Sequence, residues 1–422
     1  MRKADAPSSV RRHRPLYQLV LYMGLLLLLG LVVMYAIGPQ RANLLNHAFG
    51  SSYSETFFFH KQLVSVIIAV VAFAACAMIP YQWLLERQAK RLFTVGLVAC
   101  VGLVIAGAVL KLPMAEATNG AYRWLYIGGL GSFQPAELLK FGTLVFVAGF
   151  LGLRVQQGLL HDRQRTLVPL GIAMAAALFV VIVLQKDLGT GISLAAIAAA
   201  MLVVSGMKWQ WLGAIAVGLV VAALVLTVSS PHRIERVKTF LQGDTATTQS
   251  DNTYHITQAR IAIGSGGLFG LGIGKSVQAT GYLPEAINDS IFAIMGETFG
   301  FFGLLVILAL FSGLLLTLLH IASRLQDMRL RLVVAGVFGW VAAHVVLNVA
   351  AMTGLAPLTG IPLPLLSYGG TSMLFIAAAL GLAFQLSAYT AHKPLREGGG
   401  DGKDLGGRRR LRRTRHTSRG GI

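Results

Sequence analysis

Long apolar runs constrain this chain more than any other feature. About 20 consecutive apolar residues are enough for a helix to cross the roughly 30 Å hydrocarbon core of a bilayer. Apolar residues make up 55% of the 422 positions and charged residues only 13%, and the mean hydropathy is +0.67, unlike a soluble globular protein. The sequence therefore predicts an all-α polytopic membrane protein with ten transmembrane helices, at 17–38, 62–80, 92–112, 136–154, 166–184, 188–206, 210–229, 289–318, 332–353 and 365–389.

The distribution of Lys and Arg predicts how these helices are oriented. With ten spans both chain ends lie on one side, and that side with its adjoining helix end carries 25 of the 36 Lys and Arg residues. Basic residues are enriched in cytoplasmic loops. We therefore expect a basic cytoplasmic N-terminus at 1–16, a ten-helix membrane domain at 17–390 and a basic, disordered cytoplasmic tail at 391–422. A large extracytoplasmic loop at 230–288 then joins helices 7 and 8.

Several other function classes are disfavoured. The basic run RRRLRRTRHTSR at 408–419 adjoins the last predicted helix, so we expect the basic termini to contact anionic lipid and not nucleic acid. The sequence GIGKS at 272–276 is not a P-loop, because Phe269 stands where that motif needs Gly. Cys76 and Cys100 fall inside apolar helices, and the ten His residues show no metal-ligand spacing, so we predict no resident metal site.

The acidic residues outside the predicted cytoplasmic segments concentrate at one interface. Charged side chains inside a span cost at least about 2.5–3.5 kcal/mol, so they usually line a cavity or form pairs. Nearly all of these acids fall on the outer side or near the outer ends of the predicted helices. This placement predicts an outward-facing site that is reached by a lipid-soluble or extracytoplasmic substrate.

The first candidate segment is NGAYRWLYIGGLGSFQPAELLKFG, residues 119–142. Glu137 and Lys140 share a helix face at i, i+3, and Arg123 stands beside Trp124. One interpretation is an interfacial tryptophan and a self-neutralising ion pair. The other is a cradle for a diphosphate and a sugar, with cations for the phosphates and an indole for the sugar face.

The second and third candidate segments are QKDLGTG at 185–191 and YLPEAINDSIFAIMGE at 282–297. Asp187 is either the N-cap of the sixth helix or part of the site. Asn288 or Asp289 is either a helix cap or, in the case of Asp289, a reactive carboxylate that follows Glu285. Glu297 lies about two turns deeper, so it needs a cavity or a partner. The glycine-rich stretch 264–274 is predicted to form a compact loop on or in the bilayer.

These segments, with ARIAIGSGGLFGLGIGKSVQATG and LTGIPLPLLSYGGTS, resemble the SEDS family (shape, elongation, division and sporulation), which includes FtsW, RodA and SpoVE. The resemblance extends from the first helix to position 390, and YLPEA after GLGIGKSVQ looks closer to the FtsW division branch. It implies a peptidoglycan glycosyltransferase that polymerises lipid II at the outer face of the cytoplasmic membrane. It also implies a class B penicillin-binding protein as the transpeptidase partner, among other divisome or elongasome proteins.

The resemblance also implies roles for particular residues. The family's essential aspartate falls on Asp289, its tryptophan on Trp124 and its lysine on Lys140. We expect Asp289 to act as general base, and cations such as Lys140 and Arg123, or a divalent Mg²⁺ or Mn²⁺, to meet the undecaprenyl diphosphate leaving group. The predicted substrate-binding residues are Trp124, Arg123, Lys140, Glu137, Glu285, Glu297, Asp187 and Ser367, although the segment that contains Ser367 is better explained by packing.

The chain departs from the family pattern at Ile287, Ser290, Thr298, Lys186 and Ser132. Three alternatives stay open at this point. A lipid II flippase would also use broken helices and a polar cavity, although the inner halves of the predicted helices carry almost no charge. A RodA-like role in cell elongation would use the same transferase chemistry. A scaffold for division proteins would not need Asp289 and Glu297.

Overall fold

The computed structural model describes residues 14–390 except 118–119, 127, 129–130, 216 and 219–250. Most of the described chain is helical. Its helices are α1 Gln18–Phe49, α2 Phe57–Met78, α3 Ala89–Ala108, α4 Pro135–Gln156, α5 Val168–Leu178, α6 Leu188–Val204, α7 Asp251–Ser265, α8 Ile291–Arg324, α9 Met328–Met352 and α10 Gly370–Ser387. Short π-helical segments at Trp83–Gln88, Arg163–Leu167 and Phe179–Leu184 adjoin α3 and α5, and Gln278–Thr280 forms a 3₁₀ turn.

Within the described residues, eight helical segments are long and apolar enough to cross a membrane, and each overlaps a predicted span. They are Gln18–Ala48, Phe57–Met78, Trp83–Ala108, Pro135–Gln156, Arg163–Leu184, Ile291–Arg324, Met328–Met352 and Gly370–Ser387. The apolar helix α6, which has 17 residues, coincides with the sixth predicted span. Most of the seventh, 210–229, lies outside the described residues, as do the predicted tail 391–422 and most of the predicted N-terminal segment 1–16. The count of ten therefore stays a prediction.

Three details correct the sequence-based expectations. The chain is not entirely α-helical, because β1 Leu125–Tyr126 and β2 Ser132–Phe133 pair antiparallel within the first candidate segment. The predicted loop 230–288 contains the helix α7, and α8 continues to Arg324, beyond the predicted end at 318. Both helices persist through polar residues because the end of an apolar run does not by itself end the backbone hydrogen bonding of a helix.

Helices α4, α9 and α10 form the buried centre of the bundle, whereas α2 exposes most of its surface. α2 packs mainly against α10, α3 against α4, and α6 against α9. Small residues allow these close approaches: a Cβ placed on Gly381 of α10 would lie 2.2 Å from the carbonyl oxygen of Phe73 in α2. The bundle is therefore held together by tight backbone contact as well as by apolar side chains.

The segments predicted to be cytoplasmic meet at one end of the bundle. The Leu16 N–H donates to Ser387 Oγ at 2.9 Å, and Arg329 pairs with Glu86 at 3.2 Å. At the other end α4, α6, α8 and α10 begin, and α9 ends. The residues of the three candidate segments lie at or near this second end, although its position relative to a membrane stays a prediction.

Candidate functional site

Glu137 and Lys140 form a buried ion pair in the first two turns of α4. Pro135 starts the helix, and the two side chains are three positions apart, so they share one face. Lys140 Nζ lies 2.8 Å from Glu137 Oε1, and the two side chains are only 1% and 4% exposed. The predicted pair is confirmed, and the structure shows it neutralised internally. Direct contact between Lys140 and a diphosphate stays a prediction.

Two residues of α9 complete the surroundings of Lys140. Its Nζ lies 3.4 Å from His344 Nε2 and 5.1 Å from the ring centroid of Trp340. Trp340 Nε1 donates to the same His344 nitrogen at 3.2 Å, while His344 Nδ1 lies 3.3 Å from the Pro362 carbonyl oxygen. The ammonium charge is therefore fixed between α4 and α9, and the network reaches the segment that follows α9.

Arg123 connects the first candidate segment to the 185–187 hairpin. Its Nε donates to the Gln185 carbonyl oxygen at 3.0 Å, and its Nη2 donates to that of Lys186 at 2.7 Å. These two bonds fix the guanidinium, which has further N–H donors to offer. Trp124 is half-buried directly before β1. Substrate contacts of Arg123 and Trp124 stay predictions.

Asp187 is the N-cap of α6, as one of the two interpretations predicts. Its Oδ1 accepts from the Thr190 N–H at 2.9 Å, while its Oδ2 accepts from Thr190 Oγ1 at 2.9 Å and from Gln134 Nε2 at 3.2 Å. Lys186 has a φ of 54°, which the ring of a proline could not adopt. The family pattern has Pro at this position, so the departure at Lys186 matches the conformation of this turn. A substrate contact of Asp187 stays a prediction.

Asp289 lies in an irregular segment just before α8. The N-cap of α8 is Ser290, so the alternative that Asn288 or Asp289 caps this helix is wrong. Three successive carbonyl oxygens of this segment accept hydrogen bonds from other parts of the chain. That of Ile287 accepts from the Tyr368 N–H at 2.9 Å, that of Asn288 from Ser367 Oγ at 2.7 Å, and that of Asp289 from Asn348 Nδ2 at 2.7 Å.

These bonds hold the Asp289 segment against the LTGIPLPLLSYGGTS segment. Ser367 is buried, and its Oγ also accepts from the Leu363 N–H at 2.7 Å. Burial raises the pKa of the neighbouring Tyr368, with a smaller contribution from Tyr53, so its phenol stays protonated at neutral pH. Ser367 thus supports the backbone next to Asp289, and a direct contact between Ser367 and substrate stays a prediction.

Close backbone approaches bring Asp289 and the hairpin together. A Cβ on Gly360 would lie 3.5 Å from Asp289 Oδ2, and a Cβ on Gly189 would lie 2.8 Å from the Thr359 carbonyl oxygen. The segment 359–361 therefore lies between the Asp289 carboxylate and the start of α6. Because Arg123 binds the hairpin that starts α6, residues from all three candidate segments converge at one end of the bundle.

Glu285 is an exposed residue at the turn before Asp289. Its φ is 50°, and its Oε2 accepts from Asn288 Nδ2 at 2.6 Å. The carbonyl oxygen of Glu285 accepts from the N–H groups of Asn288 and Ser290 at 2.9 and 3.1 Å. Glu285 therefore shapes the turn, and its side chain is open to solvent. Its contact with substrate stays a prediction.

Glu297 has the partner that its depth requires. It is 1% exposed, and its carboxylate accepts from Ser276 Oγ and from the N–H groups of Val277 and Gln278, the first of these N–H bonds being 3.0 Å. Two N–H groups and a hydroxyl group thus compensate the buried charge. The carboxylate holds the glycine-rich loop, residues 266–278, onto α8, and a role of Glu297 in substrate binding stays a prediction.

The glycine-rich loop makes hydrogen bonds to the backbone groups of α8 on both sides of a break in this helix. At Gly300 the backbone leaves the helix, with a φ of 69° and a ψ of −168°. The carbonyl oxygens of Glu297 and Thr298 accept from the N–H groups of Leu271 and Gly272 at 2.9 and 3.1 Å. Beyond the break, the Phe301 N–H donates to the Gly267 carbonyl oxygen at 2.9 Å. Irregular backbone at membrane depth is stable only when protein groups satisfy it in this way.

Sequence reasoning missed four polar residues around the site. Trp340, His344 and Asn348 recur every four residues along an apolar helix, and that spacing is a signal of an inward-facing polar row. His255 of α7 lies with its Nε2 2.6 Å from Ser290 Oγ, directly after Asp289. No local pattern marks His255, because its partner lies 35 residues away.

The described residues hold no large cluster of metal-ligating side chains. None of their His, Cys, Asp and Glu side chains cluster in groups of three or more that could hold an ion. Mg²⁺ needs only one or two carboxylates when substrate phosphates and water supply its other ligands. A divalent cation that arrives with the diphosphate stays a prediction.

Comparisons with known proteins agree with this architecture. The family model for FtsW, RodA and SpoVE, described as "Cell cycle protein", matches residues 17–392. Stage V sporulation protein E of Bacillus subtilis is 33% identical over 388 residues, which is 91% of this chain and 100% of that protein. A probable peptidoglycan glycosyltransferase FtsW of Aliivibrio salmonicida is 35% identical over 305 residues, or 70% of this chain and 74% of that protein.

Solved structures share the fold. A chain of the structure "Structural coordination of polymerization and crosslinking by a peptidoglycan synthase complex" has a TM-score of 0.67 and 24% identity, and the match covers 88% of this chain and 97% of that one. RodA of Thermus thermophilus has a TM-score of 0.62 and 23% identity, with 90% and 98% covered. The chain is a multi-pass membrane protein, and it belongs to the FtsW, RodA and SpoVE family, as the resemblance implied.

Proposed function

We propose that this protein is a peptidoglycan glycosyltransferase that polymerises lipid II into glycan strands. Membership of the FtsW, RodA and SpoVE family supports this activity, as do relatives named peptidoglycan glycosyltransferase FtsW. The observation that carries the proposal for the site is the placement of Asp289. Its carboxylate is half-buried, and its backbone is held from α9 at the end of the bundle where the three candidate segments converge.

In the proposed reaction Asp289 is the general base. An acceptor sugar hydroxyl loses its proton to the carboxylate as its oxygen bonds to the anomeric carbon of the donor. The bond between that carbon and the diphosphate oxygen breaks, and undecaprenyl diphosphate leaves with the bonding electron pair. A positioned base contributes about 10²- to 10⁴-fold to such a step.

Cations stabilise the negative charge that develops on the diphosphate. Arg123 is the better candidate for direct contact, because it is half-buried and two backbone carbonyl groups already orient it. Lys140 acts from a buried position, so it contributes through its field and by fixing Glu137 and His344. Arg260 and Lys275 are further candidates near the glycine-rich loop, and a divalent cation bound to the diphosphate would serve the same purpose.

The proposed location is the cytoplasmic membrane of a bacterium, with the site facing outward and the basic termini inside. The concentration of Lys and Arg in the segments predicted to be cytoplasmic supports this orientation. We propose a class B penicillin-binding protein as partner, because a structure of a peptidoglycan synthase complex shares this fold. The similarity to FtsW proteins favours a role in septal wall synthesis.

The experiment that tests the function is polymerisation of purified lipid II by the detergent-solubilised protein, with and without its cognate penicillin-binding protein. Asp289→Ala is compared with Asp327→Ala, which removes a carboxylate that caps α9 at the opposite end of the bundle. We expect glycan strands from the wild type and from Asp327→Ala, and none from folded Asp289→Ala. If the wild type is inactive with its partner while reconstituted vesicles translocate lipid II, the protein is a flippase and the proposal is wrong.

A further inference from the structure

A side-chain amide of α9 holds the peptide group of Asp289. Asn348 is 1% exposed, and its Nδ2 lies 2.7 Å from the Asp289 carbonyl oxygen and 2.8 Å from the Ile361 carbonyl oxygen. One amide group therefore joins three parts of the chain: α9, the segment before α8, and the segment after α9.

The orientation of this amide follows from its partners. Both partners are backbone carbonyl oxygens, which only accept hydrogen bonds. The nitrogen of Asn348 must face them, since the amide oxygen in that place would meet two acceptors. Asn348 thus uses both of its N–H bonds on this contact, and no other uncharged side chain except Gln offers two such donors from one nitrogen.

The contact fixes the backbone on two sides of the Asp289 carboxylate. One N–H bond fixes the carbonyl group of Asp289 itself. The other fixes Ile361, which follows the Gly360 that approaches Asp289 Oδ2. The neighbouring donors Tyr368 and Ser367 bind the two preceding carbonyl groups, so they do not replace Asn348 at Asp289.

We propose that Asn348 is a positioning residue for the glycosyl transfer step. It holds the backbone of Asp289 and the segment beside the carboxylate in one arrangement, so that the base meets the acceptor hydroxyl at bonding distance. This inference rests on the proposed function. A misplacement of a catalytic group by about 1 Å can cost about 10²-fold in rate, so the effect of losing this amide should appear in turnover.

A matched control exists at the opposite end of the bundle. Gln385 of α10 is also buried, and its Nε2 donates to the carbonyl oxygens of Ala77 and Ile79 at 3.0 and 2.6 Å. Replacing Gln385 by Leu removes the same kind of double hydrogen bond without touching the site. The pair Asn348→Leu and Gln385→Leu therefore separates loss of positioning from loss of stability.

The test measures initial polymerisation rates against lipid II concentration, with the partner protein present, and thermal unfolding by tryptophan fluorescence. We expect kcat of Asn348→Leu to fall about 10²-fold while KM stays within about threefold, because substrate binding uses other groups. Gln385→Leu should keep the wild-type kcat, even if its unfolding temperature falls by as much as that of Asn348→Leu. Asn348→Ser keeps a single donor on a shorter side chain. Its kcat should fall less than that of Asn348→Leu, again with KM within about threefold.

Three outcomes would overturn the inference. The first is an unchanged kcat in folded Asn348→Leu. The second is an equal loss of kcat in the Asn348 and Gln385 variants, which would make the role structural. The third is failure of both Asn348 variants to fold when Gln385→Leu folds. Failure of the proposed function is recognised separately, because in that case the wild type itself forms no glycan strands.

Discussion

Asp289 and Glu297 are two carboxylates eight positions apart, and their environments differ. Glu297 is buried on the broken helix α8, where a hydroxyl group and backbone N–H groups of the glycine-rich loop bind it. Asp289 is half-buried just before that helix, and the hydrogen bonds around it hold its backbone. The Glu297 carboxylate therefore stabilises the loop against α8, whereas we propose a chemical role for the Asp289 carboxylate.

Of the substitutions at and near these two carboxylates, Asp289→Asn is predicted to have the largest effect. The amide keeps the size of the side chain but cannot take a proton from a sugar hydroxyl. We expect glycan polymerisation to fall about 10²- to 10⁴-fold, with an unfolding temperature close to that of the wild type. Strand length and rate on lipid II, together with thermal unfolding, check this. An active Asp289→Asn would remove the distinction between the two carboxylates.

The second prediction concerns the break in α8 that places Glu297. A Cβ on Gly300 would lie 2.3 Å from the Gly270 nitrogen, and the backbone conformation is one that only glycine adopts easily. Gly300→Ala should therefore destabilise the fold by more than the roughly 1–3 kcal/mol of the backbone strain alone. Gly171→Ala on α5, where a Cβ meets open space, is the control. Equal yields and equal unfolding temperatures for the two variants would show that the loop does not need this geometry.

The third prediction is that Glu297→Gln lowers stability more than it lowers catalysis. The amide leaves at least one buried donor of the loop without an acceptor, which costs on the order of 1–3 kcal/mol. Activity per folded molecule should stay within about threefold of the wild type, because no contact of Glu297 with the reacting atoms is required. A stable Glu297→Gln protein that has lost its turnover would place Glu297 in the reaction.

The smallest predicted effect is that of Asp187→Asn. Asn is as good an N-cap as Asp, so the cap of α6 is kept, and the Gln134 amide can rotate to face the new amide. We expect stability and polymerisation to change little, by a few tenths of a kcal/mol at most. Asp187→Ala, which removes the cap, should cost about 0.5–2 kcal/mol. A large loss of activity in Asp187→Asn would instead show that its charge meets the substrate.

The helical framework followed from the sequence because an apolar run has one stable structure in a bilayer. Backbone groups there must be paired internally, so length and apolarity alone locate a helix. The Glu137–Lys140 pair and the cap at Asp187 followed for a similar reason, since each depends on a spacing of three residues along one helix. Local periodicity contains all the information that such contacts need.

The hydrogen bonds that support the site could not be predicted from the sequence, because they join residues that are far apart in the chain. Asn348 and Asp289 are 59 residues apart, and Ser367 and Asn288 are 79 residues apart. The break at Gly300 could not be told from the many other glycines, since only the approach of the 266–272 loop makes it necessary. The four-residue spacing of Trp340, His344 and Asn348 was the one overlooked local signal.

The pH dependence of kcat/KM for lipid II polymerisation, in the wild type and in Asp289→Asn, tests directly whether Asp289 is the general base. If Asp289 is the general base, wild-type activity falls tenfold per pH unit on the acid side, as its carboxylate becomes protonated. The residual activity of Asp289→Asn should lack that acid limb. The same acid limb in both proteins would show that another group is the base.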